Sequence, residues 1–374
     1  MFVNYEYPPI GGGAATATQE IARAMLKLGH QITVVTSRTP SLKGYIVEES
    51  VHIHRLRGLR IRKDRSNLLE MFIFLCSAYT SVVRIAKRNT IDATICFFSM
   101  PVGPIGLLLQ QRLGVPYLVS LRGGDVPGLV PELALVHQAL TFFRRKILRN
   151  ATAVIANSSD LARHSRVSDP CPVVVIPNGV DTEYFSPSEN GYGKIDGNPI
   201  RILFVGRFHR QKDVPGLIRN LALVRKDHRL AFTLTLVGDG PERAETKRVV
   251  VQNGLDDVTE WKGWLGKEDL KNSYQQADCL INLSSYEGLP NTVLEAMSCG
   301  LTVIASDIGP HRELIEDGAT GFLAPKDKPE IIALRLFELS NDRHMLQDIG
   351  ERARQKVTNN YDWADIAKRY IAQF

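Results

Sequence analysis

The chain has 374 residues, of which 44% are hydrophobic and 23% charged, a composition that excludes a disordered, collagenous or coiled-coil protein. At roughly 150 residues per domain, this length predicts two domains or one large barrel. The formal net charge of +6 comes from residues 1–185, which carry 21 Lys and Arg against 13 Asp and Glu, whereas residues 186–374 carry 25 against 27.

From Met1 the chain runs directly into a strand-like segment, without the basic, apolar and small-residue regions of an export signal. The longest apolar run, residues 71–83, lies between Glu70 and Arg84 and is too short to cross a bilayer. The five scattered cysteines include no C-x-x-C pair, so they predict reduced thiols. We therefore expect a cytoplasmic protein.

Short β-branched segments alternate with helical patterns along the chain. The first half contains the strand-like segments HQITVVTS, DATICFF, PYLVSLR, ATAVIAN and PVVVIPNG. The second half contains RILFVG, FTLTLVG, VTEWKG, DCLINLS, LTVIASD and GFLAP. Nearly continuous apolar strands separated by helices indicate parallel sheets that are covered on both faces. The sequence thus predicts an α/β fold of two doubly wound Rossmann-like domains.

A polar stretch of turn formers, residues 186–199, separates the two sets of strands and marks the domain boundary. The last residues have a helical pattern, with Asp362 as the N-cap. The predicted parts are an N-terminal domain over 1–187, a linker over 188–199, a C-terminal domain over 200–357 and a terminal helix over 358–374.

Two loops of the first half follow predicted strands. Gly11, Gly12 and Gly13 open a helix, which is compatible with a phosphate-binding loop or with a plain tight turn, since the G-x-G-x-x-G pattern is absent. The segment SLRGGDV ends a later strand. We expect its Arg122 to bind an anionic group and its Asp125 to orient a hydroxyl, or the two to form an ion pair that shapes the loop.

A basic loop, GRFHRQKD, follows the strand RILFV of the second half. Ligands of open α/β sheets bind at the carboxyl ends of strands, so Arg207 and Lys212 are suited to grip a diphosphate. The alternative is a solvated basic loop.

The segment EGLPNTVLEAMSCG predicts a helix from Leu289 to Cys299, with Pro290 at its first position. The uncommitted amides of its first turn favour phosphate. Glu287 before the helix and Glu295 inside it would repel phosphate unless they bind sugar hydroxyls. Alternatively, they are a cap and a surface residue.

Cations also lie beside apolar segments in the first half, at 55–65, before the run 68–83, and at 142–149. Such a pattern predicts either contact with an anionic membrane or a solvated basic face. No Asp-x-Asp motif occurs, and the pair His52 and His54 lacks companions for a metal site, so we expect no metal.

Taken together, six motifs in this order resemble the retaining, nucleotide-sugar-dependent glycosyltransferases of family 4. They are YPPIGGGA, VIPNGVDTEYF, GRFHRQKD, LVGDGPER, EGLPNTVLEAMSCG and GATGFLAP, and they span nearly the whole chain. The resemblance implies the GT-B fold, in which two Rossmann-like domains face each other across a cleft. It also implies a donor site in the C-terminal domain, an acceptor site in the N-terminal domain and a last helix that crosses back to the N-terminal domain.

The resemblance further implies roles for individual residues. Glu287 becomes the first acidic residue of an E-x7-E motif, near the donor sugar, and Glu295 becomes the second, on the nucleotide ribose. Arg207 and Lys212 match the pair that neutralises the leaving diphosphate, in place of a divalent metal. The other implied donor-binding residues are Gly12, Gly13, Gly206, Gly238, Gly288, Leu289, Pro290 and Asn291.

One motif departs from the family. Many members have His-Gly-x-Asp where this chain has Arg122, Gly123, Gly124 and Asp125. The role of that histidine is therefore not carried over. Asp125 keeps a catalytic assignment, and Arg122, Gly123 and Gly124 become candidates for the cleft or the acceptor site.

We therefore expect a metal-independent hexosyltransferase of polysaccharide biosynthesis that acts on a lipid-linked or saccharide acceptor and retains the anomeric configuration. The nucleotide sugar is its co-substrate, and no further cofactor or nucleic acid partner is expected. We expect it in the cytoplasm, on the inner face of the membrane. The alternatives are a nucleotide-sugar 2-epimerase of the same fold and a non-catalytic two-domain sugar-binding protein.

Overall fold

In a computed structural model, the described residues are 1–58, 67–188, 199–228 and 230–374. They form two compact units, the first made of Met1–Gly179 with Trp363–Phe374 and the second of Val180–Asp362. Each unit is an α/β layer structure around a mainly parallel sheet, which confirms the predicted Rossmann-like fold class. The linker predicted over 188–199 lies almost entirely outside the described residues.

The described residues of the first unit form eight strands: β1 Phe2–Val3, β2 Thr33–Ser37, β3 Tyr45–Glu48, β4 Val51–Leu56, β5 Thr94–Phe97, β6 Tyr117–Leu121, β7 Ala153–Ala156 and β8 Val174–Val175. Its helices are α1 Gly13–Lys27, α2 Leu68–Arg88, α3 Gly103–Leu113, α4 Ala134–Ala139, α5 Thr141–Asn150, α6 Ser159–Ser168 and, at the end of the chain, α14 Trp363–Ile371.

The sheet of the first unit has the strand order β3-β4-β2-β1-β5-β6-β7-β8. Its strands are parallel except β3, which pairs antiparallel with β4. Glu49 and Ser50 join these two strands with φ of 49° and 65°, the left-handed conformation that a two-residue hairpin needs at both positions. The sequence analysis did not predict this hairpin strand.

Helix α14 belongs to the core of the first unit. It begins directly after Asp362, and its Ile366, Ala367 and Tyr370 are buried with the residues of the first sheet. The Tyr370 hydroxyl lies 2.8 Å from Ser120 Oγ on β6. These apolar contacts and the buried polar contact fix the last helix on the first unit.

In the part of the second unit that the structure describes there are six strands: β9 Ile200–Val205, β10 Phe232–Val237, β11 Thr259–Gly263, β12 Cys279–Asn282, β13 Thr302–Ser306 and β14 Phe322–Ala324. Its helices are α7 Val214–His228, α8 Arg243–Gln252, α9 Lys267–Gln276, α10 Asn291–Ser298, α11 Gly309–Leu314, α12 Pro329–Asn341 and α13 Arg343–Asn360.

All six strands of the second sheet are parallel, in the order β11-β10-β9-β12-β13-β14. Successive side chains of β9 enter different cores, Ile202 and Phe204 on one face and Leu203 and Val205 on the other. A strand buried on both faces must be apolar at every position, which explains the uninterrupted run ILFV.

The boundaries of the units differ from the predicted ones. Residues 180–187 were predicted in the N-terminal domain, but Val180 and Phe185 pack in a core of the second unit. The Ser298 hydroxyl donates a hydrogen bond to the Phe185 carbonyl over 2.6 Å, which fixes this segment there. The terminal helix was predicted from residue 358, but α13 continues to Asn360 and α14 begins only at Trp363.

Helix α2 has 21 residues. It is therefore longer than the apolar run of residues 71–83, which by itself is too short to cross a bilayer. Asn67 and Glu70 form a capping box that starts the helix before the apolar run. Within the described residues, α2 is the one helix that is long and apolar enough to cross a membrane, by length and composition alone. Its Phe74, Ala78 and Val82 are nevertheless packed in the core of the first unit.

All five cysteines are free thiols. Cys96, Cys279 and Cys299 are buried, and burial raises the pKa of Cys96 and of Cys299 to about 12. These buried thiols therefore serve packing rather than chemistry. Cys171 is half-buried, and Cys76 is exposed on α2.

Candidate active site

The chain order of the second sheet identifies one position for a ligand. From β9 the chain passes to β10 and β11 on one side and then to β12, β13 and β14 on the other. Ligands of open α/β sheets bind at such a switch point, beside the carboxyl ends of the two strands. The loops that leave β9 and β12 are residues 206–213 and 283–290, the two segments that the sequence analysis selected.

The loop 206–213 is held in one conformation by its own hydrogen bonds. The Lys212 amide donates to the His209 carbonyl over 2.7 Å, and the Asp213 carboxylate accepts from the Gly216 amide over 3.2 Å at the start of α7. A Cβ on Gly206 would lie 3.5 Å from Lys212 Cε, so the lysine side chain passes directly over this glycine. Arg207 and Lys212 are therefore presented from the same ordered loop.

Lys212 and Glu287 come together across the two loops. The Lys212 ammonium is hydrogen-bonded and ion-paired to Glu287 Oε1, and the two side chains are only 14% and 9% exposed. Gln211 Nε2 donates to Glu287 Oε2 over 3.2 Å and to the Tyr286 carbonyl over 2.8 Å. The structure thus places Glu287 against one of the two predicted phosphate-binding cations.

The protonation state of Glu287 follows from these contacts. Burial alone would raise the pKa of its carboxyl, but the Lys212 charge and hydrogen bonds from Lys212 and Ser284 outweigh burial. The pKa of Glu287 therefore lies below its ordinary value. Its side chain is a carboxylate at neutral pH.

Gly238 follows β10 and packs against the turn that begins at Gly206. A Cβ at Gly238 would lie 2.0 Å from the Gly206 carbonyl oxygen, and the φ of Gly238 is +121°. No side chain fits this close approach of two backbones. Gly238 thus supports the shape of the basic loop, and no donor contact is needed to explain the glycine.

The helix after β12 begins two residues later than predicted. Pro290 has φ −78° and ψ 109°, which is extended backbone, so it is the N-cap and α10 spans Asn291–Ser298. Leu289 is buried, and Gly288 is half-buried before it. The Val293 and Leu294 amides bond to the Pro290 carbonyl, whereas the first-turn amide of Thr292 precedes the helical ladder and suits an anion.

Glu295 is held separately from Glu287, inside α10. Tyr274 on α9 is fully buried, and its hydroxyl donates to Glu295 Oε2 over 2.8 Å. Burial and the Glu295 charge both raise the pKa of Tyr274, so its proton stays on the hydroxyl. Tyr274 fixes the orientation of Glu295. The sequence analysis missed this residue because nothing in the segment KNSYQQ relates it to a residue 21 positions away.

The variant Tyr274→Phe tests this positioning. If Glu295 binds the donor ribose, loss of the orienting hydroxyl should raise KM for the nucleotide sugar by about 10-fold while kcat changes by less than about twofold. Tyr184→Phe is the matched control, because the Tyr184 hydroxyl also donates to a carboxylate, Glu268, over 2.8 Å but lies on the exposed surface. Equal KM values in the two variants would contradict the role of Tyr274.

His311 on α11 is a second residue that the sequence analysis missed. It is fully buried, and its Nδ1 lies 2.7 Å from the Ser306 carbonyl, which can only accept, so Nδ1 carries the proton. Within the described residues, Nε2 has no hydrogen-bond partner. The pKa of His311 lies below its ordinary value, chiefly because the side chain is buried. The Lys212 charge lowers this pKa further, and the Glu287 charge opposes the change. A neutral imidazole therefore lies beside the Lys212–Glu287 pair.

The glycine loop of the first unit follows β1 and opens α1. Gly12 is the N-cap and Gly13 the first helical residue, and both are exposed. Gly11 is the constrained residue of the three, since its φ is +101° and a Cβ there would lie 2.7 Å from Glu6 Cβ. Glycine is required for the turn at Gly11, whereas Gly12 and Gly13 leave the start of α1 open.

Arg122 and Asp125 meet through the Arg122 backbone amide rather than through an ion pair of their side chains, and their ligand-binding roles stay predictions. Asp125 Oδ1 accepts from the Arg122 amide over 2.9 Å and Oδ2 from the Ser99 amide over 2.6 Å, with the carboxyl buried. Burial raises the pKa of Asp125 although both amide bonds lower it. The carboxyl group therefore ties two loops together, and the catalytic role of Asp125 stays a prediction.

The Arg122 guanidinium is bound within the first unit. Nη1 donates to Asn178 Oδ1 over 2.6 Å, Nη2 donates to the Tyr370 hydroxyl over 3.1 Å, and the guanidinium stacks 4.3 Å from the Phe97 ring centre. Arg122 thus fastens α14 to the end of β6. Gly123, with φ +106°, makes the turn that brings Asp125 back, while Gly124 is exposed.

Within the described ranges, no group of three or more His, Cys, Asp or Glu side chains is placed to hold a metal ion. The pair His52 and His54 lies on β4, where His52 Nδ1 is 2.8 Å from the Tyr45 hydroxyl. The Tyr45 ring also contacts both imidazoles. These histidines belong to an aromatic cluster of the hairpin β3–β4.

Two family models match the chain, one in each half. The model "Glycosyl transferases group 1" matches residues 187–356, and the model "Glycosyltransferase Family 4" matches residues 11–184. Together they cover most of both units and all the candidate site residues that the sequence predicts.

Individual proteins are similar over most of their length. An alpha-maltose-1-phosphate synthase of Mycobacterium tuberculosis is 32% identical over 320 residues, 79% of this chain and 81% of that protein. Among solved structures, a sucrose-phosphate synthase from Thermosynechococcus elongatus has a TM-score of 0.85 at 23% identity and covers 99% of this chain and 96% of its own. Anabaena HepE, solved with UDP-glucose, has a TM-score of 0.77 at 20% identity and covers 99% and 97%.

Proposed function

The chain belongs to the family 4 glycosyltransferases, whose fold is GT-B, and we propose that it transfers a hexosyl group from a nucleoside-diphosphate sugar to a lipid-linked or saccharide acceptor with retention of anomeric configuration. The observation that carries this proposal is the Lys212–Glu287 pair at the switch point of the second sheet. A carboxylate and a cation share this position, and a nucleotide sugar presents hydroxyls and a diphosphate side by side.

Lys212 serves the leaving group. As the bond from the anomeric carbon to the phosphate oxygen breaks, negative charge grows on the nucleoside diphosphate. An ammonium already held in a half-buried loop stabilises that charge without reorganisation, and Arg207 supplies a second cation from the same loop. The first-turn amides of α10 complete the anion site.

Glu287 serves the sugar. In the absence of donor its carboxylate neutralises Lys212, so neither charge is buried alone. When the diphosphate takes over part of the Lys212 charge, Glu287 is free to accept hydrogen bonds from sugar hydroxyls. The same carboxylate stabilises positive charge that develops on the sugar ring. Glu295, oriented by Tyr274, binds the ribose of the nucleotide.

Similar proteins support a transferase that uses a nucleotide sugar over the two alternative functions. HepE was solved with UDP-glucose, and two other similar proteins are sugar-phosphate synthases by name. Neither a 2-epimerase nor a non-catalytic sugar-binding protein appears among these relatives. We also propose that the enzyme acts in the cytoplasm, in polysaccharide biosynthesis and without a nucleic acid partner. The positive charge of residues 1–185 supports a place on the inner face of the membrane, whose lipids are anionic.

Proton NMR of the transfer product tests retention. The donor is first chosen by melting the protein with different nucleoside diphosphates, because a ligand at 100 times its Kd adds about 2.7 kcal/mol to stability. With that donor, the anomeric coupling constant of the new glycoside should match the configuration of the sugar in the donor. An inverted product would refute the retaining assignment and leave the transferase assignment in place.

Turnover should survive an excess of EDTA. The proposed site neutralises the diphosphate with Arg207, Lys212 and helix amides, so a divalent cation is not required for the leaving group. The initial rate with and without chelator should agree within error. Loss of activity with EDTA and its recovery with added magnesium would contradict this donor site.

A further inference from the structure

The outward side of α2 is apolar, which is unusual for a helix on a protein surface. Leu69, Phe72 and Tyr79 follow helical spacing and are 62%, 60% and 52% exposed. The opposite stripe, which includes Phe74 and Val82, is fully buried in the core of the first unit. A surface helix ordinarily turns polar residues outward. Helix α2 therefore has one apolar side that packs in the core and a second apolar side that is exposed and suited to bind an apolar partner.

A second exposed aromatic group lies on α5, beside cations. Phe142 and Phe143 are 75% and 60% exposed. Lys146 and Arg149 are exposed as well, and in the described part of the chain neither forms an ion pair. Both line a surface hollow of about 680 Å³, together with Arg145. Aromatic rings and unpaired cations here form one patch.

The two groups lie on the same side of the first unit. Helix α3 packs against α2 and against α5, so the three helices form one layer over the sheet. The exposed residues Arg84, Lys87 and Arg88 add cations at the end of α2. We call the outer surface of α2 and α5, marked by Leu69, Phe72, Tyr79, Phe142, Lys146 and Arg149, the α2–α5 face.

We propose that the α2–α5 face docks on an anionic lipid bilayer. Exposed aromatic and aliphatic side chains enter the boundary between headgroups and acyl chains, and the neighbouring cations bind lipid phosphates. A spanning orientation of α2 is excluded in the folded unit, because Phe74 and Val82 would have to leave the core. A second copy of the chain fits poorly, since two positively charged faces would repel.

Two of the cations that the sequence analysis assigned to the membrane do not take part. Arg55 is buried and donates to the Pro8 carbonyl over 3.2 Å. Arg144 is buried in an ion pair with Asp169. Residues 59–65 of the predicted basic run 55–65 lie outside the described residues. The docking face is therefore defined by described residues of α2 and α5 alone.

Flotation with lipid vesicles tests the proposal, which rests on the surface and not on the transfer reaction. The wild type should float with vesicles of phosphatidylcholine mixed with phosphatidylglycerol and much less with phosphatidylcholine alone. The double variants Phe72→Gln/Tyr79→Gln and Lys146→Gln/Arg149→Gln should each lose about tenfold or more in the bound fraction. Leu223→Gln and Lys226→Gln, on the exposed side of α7 in the second unit, are the matched controls and should bind as the wild type does.

Three results would overturn the proposal. They are equal flotation with neutral and anionic vesicles, no flotation with either, and a loss in the α7 controls as large as in the α2–α5 variants. A fourth contradicting result would come from light scattering in the absence of lipid. If the wild type is a dimer and Phe72→Gln/Tyr79→Gln is a monomer, the α2–α5 face binds a second copy of the chain instead. Unchanged melting of the variants, expected for exposed positions, ensures that lost flotation reports the surface.

Discussion

Replacing Lys212 with alanine should slow sugar transfer by about 100-fold or more, and Arg207→Ala should have a similar effect. Each change removes a fixed cation from the place where the leaving diphosphate gains charge. Arg210→Ala is the control, because Arg210 lies in the same loop but is exposed. Its rate should stay within about twofold of the wild type. Near-normal turnover of both Lys212→Ala and Arg207→Ala would refute the diphosphate assignment.

The Lys212 variant needs a second measurement, because Lys212 also neutralises the buried Glu287 carboxylate. Its removal leaves that charge without a cation, so Lys212→Ala should melt at a lower temperature as well. The double variant Lys212→Ala/Glu287→Gln removes the stranded charge and should recover most of the melting temperature. It should not recover turnover. Recovery of both would show that Lys212 acts only in folding.

Replacing Arg144 with methionine should destabilise the first unit by about 3–5 kcal/mol, the largest effect on stability expected outside the site. Arg144 Nε lies 2.6 Å from Asp169 Oδ2, and the two side chains are 2% and 3% exposed. Methionine fills the same space but leaves the Asp169 carboxylate without its buried cation. Arg145→Met is the control, because Arg145 bonds the same carboxylate over 3.3 Å from a side chain that is 42% exposed. That variant should cost at most about 1 kcal/mol.

Urea unfolding of the first unit measures this difference. Trp363 is the tryptophan of the first unit, while Trp261 and Trp264 lie in the second. In a variant in which Trp261 and Trp264 are both replaced by phenylalanine, tryptophan fluorescence reports the unfolding of the first unit alone. Separate reporting is needed because a chain of two units need not unfold in one step. Equal destabilisation by Arg144→Met and Arg145→Met would show that burial does not determine how much the Arg144–Asp169 ion pair contributes to the free energy of unfolding.

The sheets and the site loops were predictable from the sequence because their signals are local. The run ILFV of β9 must be apolar at every position in a strand that is buried on both sides. The basic loop and the acidic helix segment follow strands, and the carboxyl ends of parallel strands share one edge of a sheet. The contact between Lys212 and Glu287 follows from these two facts, although the residues are 75 positions apart.

Other features depend on contacts that no local pattern contains. Arg144 looks like one more surface cation in FFRRKILR, and its burial is decided by Asp169, 25 positions further on. One hydrogen-bond partner of Arg122 is Tyr370, 248 positions away on the last helix. Strand β3 is followed by Glu49 and Ser50, which adopt a positive φ without the glycine that ordinarily signals such a turn.

The central claim is that this chain moves a sugar from a nucleotide donor to an acceptor at the Lys212–Glu287 site. Incubation with radiolabelled nucleotide sugars, in the presence of saccharide and lipid-linked acceptors, tests it most directly. We predict label in a new glycoside, at a rate that falls by about 100-fold or more in Lys212→Ala/Glu287→Gln. Label found only in an isomerised nucleotide sugar, or only in unchanged donor bound to the protein, would contradict the claim.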